Sequence, residues 1–146
     1  MRIETADFGV QEIDPNTILE FPEGIPGFEN DTRFKLFNEE EAEQVFHLQS
    51  VTNPDVAFSV VDPAKLHIFY EIALTDDELT LLGSTDPEHI GILVFTYRNT
   101  TAPEANVDTS GLAFSFMTPI IINVEEKRGF MKVLSNTSQQ ITIKAD

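Results

Sequence analysis

The chain has 146 residues, of which 41% are hydrophobic, and it carries 25 acidic and 9 basic side chains for a formal net charge of −16. This length fits one domain, residues 1–146, with enough apolar surface to form a core. The charge disfavours binding to nucleic-acid phosphates or anionic lipid and favours basic partners. Cysteine is absent, which excludes disulfides and thiolate chemistry and agrees with a cytoplasmic location.

Short strands dominate the predicted elements, because apolar residues recur with period two and turn signals such as Asp14-Pro15 and Asp62-Pro63 separate the runs. This pattern predicts a mainly β fold, a single antiparallel β-barrel-like domain with one short helix near residues 76–82. In chain order, we predict strands at residues 2–5, 17–21, 33–36, 45–49, 56–61, 68–74, 90–97, 112–117, 120–124, 129–134 and 141–144.

The stretch FPEGIPGFEN, residues 21–30, predicts a stiff corner. In Ile25-Pro26-Gly27-Phe28, proline fixes a negative φ at the second position and glycine tolerates a positive φ at the third, as a type II turn requires. The aromatic rings of the stretch can simply fill the core. Alternatively, the corner displays Ile25 or Phe28 to a partner.

The helix is predicted from the segment Thr75-Asp76-Asp77-Glu78, which has the pattern of a capping box. Leu79 and Leu82 follow on one face, and Gly83 supplies a terminating residue. A run of acidic residues at 39, 40, 41 and 43 is compatible with either a helical turn or a solvated loop.

Catalytic chemistry finds little support in the sequence. There is no nucleophile elbow, no phosphate-binding glycine loop and no spaced histidine pair, so we expect no enzyme activity, catalytic residue, metal or cofactor. Two alternatives stay open. Asp86, Glu88 and His89 could serve a metal- or carboxylate-dependent enzyme, and a β fold could bind carbohydrate, although tryptophan, a common sugar platform, is absent.

The apolar run that ends at Asn123 supplies further candidates for partner binding. Ile120, Ile121 and Ile122 alternate along a strand, so one face must differ from the other, and we take Ile121 and Asn123 as candidate contacts. The alternative is that all three isoleucines lie in the core and that Asn123 closes a turn.

Several blocks occur in a recognisable order: FPEGIPGFE (21–29), FHLQS (46–50), YEI (70–72) and PIIIN (119–123). This order resembles the FliW family of flagellar assembly factors, over nearly the whole chain. Two positions depart from the family pattern, because Ser115 and Met131 replace the polar residues expected there. If either position contacts a partner, these replacements alter the affinity or the choice of partner.

The resemblance implies a small β-barrel-like protein without enzyme activity, monomeric when free, that binds two proteins. One is CsrA, an RNA-binding translational regulator whose repression of flagellin synthesis FliW relieves by binding away from the RNA surface. The other is flagellin, which competes for FliW. Charge suggests a mechanism: residues 1–110 hold 22 acids and 5 bases (net −17), whereas residues 111–146 hold 3 acids and 4 bases (net +1). We expect the neutral C-terminal third to dock on CsrA and the acidic remainder to face the RNA.

Overall fold

The computed structural model describes residues 1–38, 45–83, 87–98, 112–134 and 140–143. Within these ranges the chain forms eleven strands, one α-helix and three 3₁₀ turns. The helix, α1, spans Asp76–Leu82, and the 3₁₀ turns span Pro15–Thr17, Pro63–Leu66 and Pro87–His89. The strands are β1 (Arg2–Thr5), β2 (Gly9–Glu12), β3 (Leu19–Glu20), β4 (Arg33–Asn38), β5 (Val45–Ser50), β6 (Ala57–Val61), β7 (Ile68–Glu71), β8 (Ile90–Arg98), β9 (Leu112–Asn123), β10 (Arg128–Met131) and β11 (Gln140–Ile143).

Seven of the described strands form a closed barrel in the order β10-β3-β4-β5-β6-β8-β9. The predicted β-barrel with one short helix is therefore confirmed. Neighbouring strands run antiparallel, except that β10 and β3 pair in parallel at Arg128 and Glu20. At this closure the N–H of Glu20 donates to the carbonyl of Lys127 at 2.8 Å. Two described two-stranded antiparallel sheets lie outside the barrel sheet, the hairpin of β1 with β2 and the pair of β7 with β11.

The barrel interior is an apolar core built from alternate residues of the strands. Full burial of each such side chain contributes about 1.5–3 kcal/mol, so this layer is the main source of stability. The period-two pattern that predicted the strands thus also identifies their inward faces. Side chains with no exposed surface in this core include Phe21, Phe34, Leu48, Val60 and Ile120.

A second apolar layer lies between the outer face of the barrel and α1. Ile121 is 1% exposed and packs there with Leu82 and Phe130, whereas Ile120 and Ile122 belong to the barrel interior. All three isoleucines are therefore buried, as the alternative stated, and Ile121 is not exposed as a partner contact. The two faces of the strand do differ, because one faces the barrel core and the other packs against α1.

The helix begins and ends as its sequence predicts. The hydroxyl of Thr75 accepts from the N–H of Glu78 at 3.1 Å, and the Glu78 carboxylate accepts from the N–H of Thr75 at 2.9 Å. Gly83 ends the helix with a φ of 81°. The same carboxylate accepts two hydrogen bonds of 2.8 Å from the ammonium of Lys132. This largely buried ion pair fastens the start of α1 to the segment that follows β10.

Several predicted boundaries differ from the structure. The strands predicted at 112–117 and 120–124 form one strand, β9, which continues through Pro119. Proline has no N–H to donate, but the carbonyl of Pro119 accepts from the N–H of Lys132, so this strand keeps a backbone hydrogen bond at the proline. Of the strand predicted at 17–21, only Leu19–Glu20 is strand, because Asp14 caps a 3₁₀ turn that extends to Thr17. Strand β2 was not predicted, because its residues are mostly exposed and do not alternate. The acidic run at 39–43 lies outside the described residues.

Candidate functional site: an uncharged groove at the proline–glycine corner

The stretch that opens at Phe21 folds into a tight corner. The N–H of Phe28 donates to the carbonyl of Ile25 at 2.6 Å, and Gly27 has a φ of 90°, as the predicted turn requires. Gly24 also has a positive φ, and a β-carbon there would lie 2.7 Å from the Cα of Glu29. The chain therefore doubles back on itself so closely that only glycine fits at position 24.

A series of ring contacts attaches the corner to the barrel. The ring centroid of Phe28 lies 5.1 Å from that of Phe58, edge to face, and Phe58 lies 5.4 Å from Phe95. Further contacts of 6.3 Å and 5.2 Å continue from Phe58 through Phe34 to Phe21 in the core. Such aromatic pairs contribute about 0.5–1.5 kcal/mol each beyond their buried area. Phe28 remains 41% exposed, so its ring is fixed on one side and open to solvent on the other.

We use the name corner groove for the cavity beside this ring. It has a volume of about 580 Å³, and none of the described residues that line it is charged. Such an uncharged lining fits the core of a protein interface, where charged residues are depleted. Residues that line the corner groove include Ile25, Phe28, Phe58, Phe95, Ser115 and Met131.

An acidic side chain lies at the corner itself. The carboxylate of Glu29 accepts a hydrogen bond of 3.0 Å from the N–H of Gly27. This bond, together with one from the backbone of Glu29, lowers the pKa of Glu29 below its ordinary value of 4.5. Glu29 is therefore ionised at neutral pH, and the neighbouring Glu23 is also exposed. The neutral groove thus has negative charge close to it.

The structure places the four residues predicted as partner contacts in different environments. Ile25 and Phe28 both line the corner groove, but Ile25 is only 2% exposed, so Phe28 is the side chain open to a partner. Ile121 lies under α1. Asn123 is fully buried: its Nδ2 donates to the carbonyl of Leu82 at 2.9 Å, and its Oδ1 accepts from two backbone N–H groups of the β9–β10 turn. Asn123 therefore closes the turn, as the alternative stated, and it also holds the end of the helix, which the sequence did not predict.

The two departures from the family pattern lie together in the structure. Ser115 from β9 and Met131 from β10 both line the corner groove, although 16 positions separate them in the sequence. The Oγ of Ser115 lies 2.8 Å from the Oγ1 of Thr118, so the hydroxyl is already engaged locally. Both replacements therefore change the lining of the groove, and Met131 also packs against the barrel core.

Two polar residues of the block at 46–50 have structural roles that sequence reasoning did not assign. The Nε2 of Gln49, which is fully buried, lies within 3.3 Å of the carbonyls of Ser50, Asn53, Pro54 and Val56. The hydroxyl of Ser50 donates to the buried carboxylate of Asp31 at 2.6 Å. These contacts hold the β5–β6 connection and join it to the corner segment. In the sequence, the only signal for these roles was the FHLQS block and its resemblance to the family pattern.

The residues proposed for metal-dependent chemistry are only partly described. Glu88 is exposed and His89 is half-buried, both in the 3₁₀ turn Pro87–His89, and Asp86 lies outside the described residues. In the part of the chain that the structure describes, no three histidine or carboxylate side chains are grouped to hold a metal ion. Nor does any helix in that part have the length and apolar character needed to cross a membrane.

Fold and groove define a small closed β-barrel with a helix packed on its outer face and an uncharged groove beside a rigid proline–glycine corner. The FliW protein family model matches residues 2–145, and the chain belongs to this family. It is 40% identical over 145 residues to the flagellar assembly factor FliW of Azoarcus sp. (strain BH72), covering 99% of this chain and 98% of the relative. The flagellar assembly factor FliW of Chromobacterium violaceum is 34% identical over 135 residues, covering 90% and 92%.

A solved crystal structure of the flagellar assembly factor FliW has the same architecture. It superimposes with a TM-score of 0.78 at 29% sequence identity, covering 96% of this chain and 93% of the other. The match includes the barrel, so the fold, like the sequence, is that of the family.

Proposed function

We propose that this protein is a cytoplasmic flagellar assembly factor that works, as a monomer, by binding two proteins in turn. The first is CsrA, whose repression of flagellin translation it relieves, and the second is flagellin, which competes for it. While flagellin accumulates, it occupies the protein and CsrA stays active. When flagellin is exported, the protein is released and flagellin synthesis resumes. Membership of the FliW family carries this proposal.

The corner groove supplies the contact surface in this proposal. Its lining is uncharged in a chain of net charge −16, so a partner can bury apolar area there without desolvating an ion pair. Phe28 is the natural anchor, because its ring is held by Phe58 on one side and is open on the other. Aromatic side chains that are pre-positioned in this way are typical binding hot spots. Groove residues Ser115 and Met131 belong to the C-terminal third that we expect to dock.

In this proposal, the negative charge of the protein opposes the binding of RNA to CsrA. RNA binding depends strongly on neutralisation of phosphates by basic side chains, so CsrA must be basic where RNA docks. A strongly anionic protein placed beside that surface makes the approach of RNA less favourable without occupying the RNA site. At about 0.15 M salt this effect reaches about 8 Å, so only acids near the docked surface contribute. Glu23 and Glu29, exposed on the corner, are the described acids best placed to do so.

Calorimetric titration of the purified protein with CsrA, and separately with flagellin, tests the contact surface. Phe28→Asp puts a charge where the anchor ring would be buried, and we expect it to weaken binding by about 2 kcal/mol, roughly thirtyfold. Val10→Asp is the matched control, because Val10 is 58% exposed on β2 and does not line the groove. Unchanged binding by Phe28→Asp, or equal losses in both variants, would contradict the assignment of the groove.

A pair of charge-reversal variants tests the electrostatic part separately. Glu23→Lys with Glu29→Lys changes the charge at the corner, and Glu4→Lys with Asp7→Lys makes the same net change on the N-terminal hairpin. We expect the corner pair to lose more of the ability to displace RNA from CsrA. If neither pair alters displacement, a steric or conformational block replaces the electrostatic mechanism, while the binding proposal stands.

A further inference from the structure

In the described part of the chain, strand β8 has a free edge on one side of its start. On one side β8 pairs with β9, but on the other side it pairs with β6 only through Val94 and Phe95. Strand β6 ends at Val61, because Asp62 caps the 3₁₀ turn Pro63–Leu66 and directs the chain away from the sheet. No backbone hydrogen bond joins Ile90–Leu93 to that described turn or to β7. No described strand occupies this edge, so its backbone groups offer a place for another strand.

A cavity of about 710 Å³ opens beside this edge, at one end of the barrel. Leu93 and Ile122 line it from the barrel interior, and Ile68 and Phe69 line it from β7. Gly91 leaves part of this space open. It pairs with Ile122, so a side chain at position 91 would point to the same face as Ile122, and a β-carbon there meets no atom within 4 Å. We call this space the barrel-end cavity.

The charge around the barrel-end cavity differs from that of the molecule as a whole. Lys35, Lys127 and Asp62 line it, so its described lining has a net charge of +1, from two bases and one acid, in a chain of −16. Phe69, 40% exposed, and Val124, 59% exposed, add apolar surface at its rim. The cavity therefore favours an occupant that is apolar and carries negative charge.

We propose that the free edge of β8 and the barrel-end cavity together bind an extended, acidic and apolar peptide segment of a partner protein. The peptide backbone adds a strand along Ile90–Leu93, a length of about 13 Å. One apolar side chain enters the space over Gly91, and an acidic side chain lies beside Lys35 and Lys127. A strand is the occupant that the edge selects, because a small apolar ligand would leave the backbone donors and acceptors unpaired. The site shares no lining residue with the corner groove and does not depend on the function proposed above.

Fluorescence anisotropy with a labelled seven-residue peptide tests this site. In the peptide, leucine alternates with threonine, and glutamate stands at both ends. We expect saturable binding below about 1 mM and its loss when the internal amides are N-methylated, because methylation removes the donors that strand pairing requires. Replacing the terminal glutamates with lysines, or combining Lys35→Gln with Lys127→Gln, should weaken binding roughly fivefold.

The variant Gly91→Leu fills the cavity and should reduce peptide binding more than tenfold. Its melting temperature should stay equal or rise, because the added side chain enters open space and glycine is a poor strand residue. Val133→Leu is the control, on a side chain that is 67% exposed and does not line the cavity. Three results would overturn the proposal: no saturable binding at about 1 mM, equal binding of the N-methylated peptide, or equal binding by Gly91→Leu. A concentration-dependent dimer that Gly91→Leu abolishes would instead assign the edge to a second copy of this chain.

Discussion

Replacing Asn123 with alanine separates a structural role of this side chain from a role in binding. The amide is fully buried and makes three hydrogen bonds, one to the carbonyl of Leu82 at the end of α1 and two from the N–H groups of Glu125 and Glu126. Alanine removes all three. The Leu82 carbonyl is then left without this partner inside the protein, whereas the two N–H groups belong to exposed residues and can bind water.

The expected loss follows from these environments. An unsatisfied buried carbonyl costs about 1–3 kcal/mol, and each of the two turn hydrogen bonds contributes about 0.5–1.5 kcal/mol. Allowing for water at the turn, we expect the free energy of unfolding to fall by about 3 kcal/mol. For a chain of this size that lowers the melting temperature by roughly 6–12 °C. Urea unfolding followed by circular dichroism measures the change directly.

Asn16→Ala is the matched control, because Asn16 is exposed and its replacement should change the free energy of unfolding by less than about 0.5 kcal/mol. Asn123→Ala should still bind partners through Phe28 at temperatures well below its melting point. A stability change as small as that of the control would refute the structural reasoning. A variant of unchanged stability that lost partner binding would instead return Asn123 to the role of a contact residue.

Three further variants test other parts of the fold by the same unfolding measurements. Burial raises the pKa of Glu78, but hydrogen bonds from Lys132 and Thr75 outweigh this effect and hold the pKa below 4.5. The stabilisation that this carboxylate provides is therefore present above about pH 4.5 and is lost in more acidic solution. Glu78→Gln should flatten the acid-side slope of stability against pH, and an unchanged slope contradicts the ion pair. Gly24→Ala should destabilise by at least about 2 kcal/mol, because its β-carbon overlaps backbone at a positive φ; a neutral effect would show that the corner relaxes. Ser50→Ala should cost about 1–3 kcal/mol by removing the donor to buried Asp31, and partner binding should not change.

Local features of this fold are readable from the sequence because their causes are local. The capping box at Thr75 and the turn at Pro26 each depend on residues within three or four positions, and both occur in the structure as predicted. Period-two alternation likewise identifies the strands, because it reports which side of each strand is buried. It marks Phe34 and Leu48 as inward-facing, and both are fully buried.

The sites could not be predicted in the same way, because they depend on which distant segments meet. Alternation around Ile121 shows that the two faces of β9 differ, but it cannot show that α1 covers the outer face. The corner groove combines Phe28 with Phe95 and Met131, which come from three separate parts of the chain. The barrel-end cavity depends on the departure of β6 from the sheet after Val61, which leaves the start of β8 paired with β9 on one side and with no described strand on the other. Neither arrangement has a short-range signal in the sequence.

The proposed function is tested most directly by adding the purified protein to a preformed complex of CsrA with its RNA, with and without flagellin, and measuring the RNA that is released. Release should increase with the amount of protein added, and an excess of flagellin should restore the complex. An RNA complex that is unaffected at protein concentrations above that of CsrA, or a release that flagellin does not reverse, would contradict the proposal.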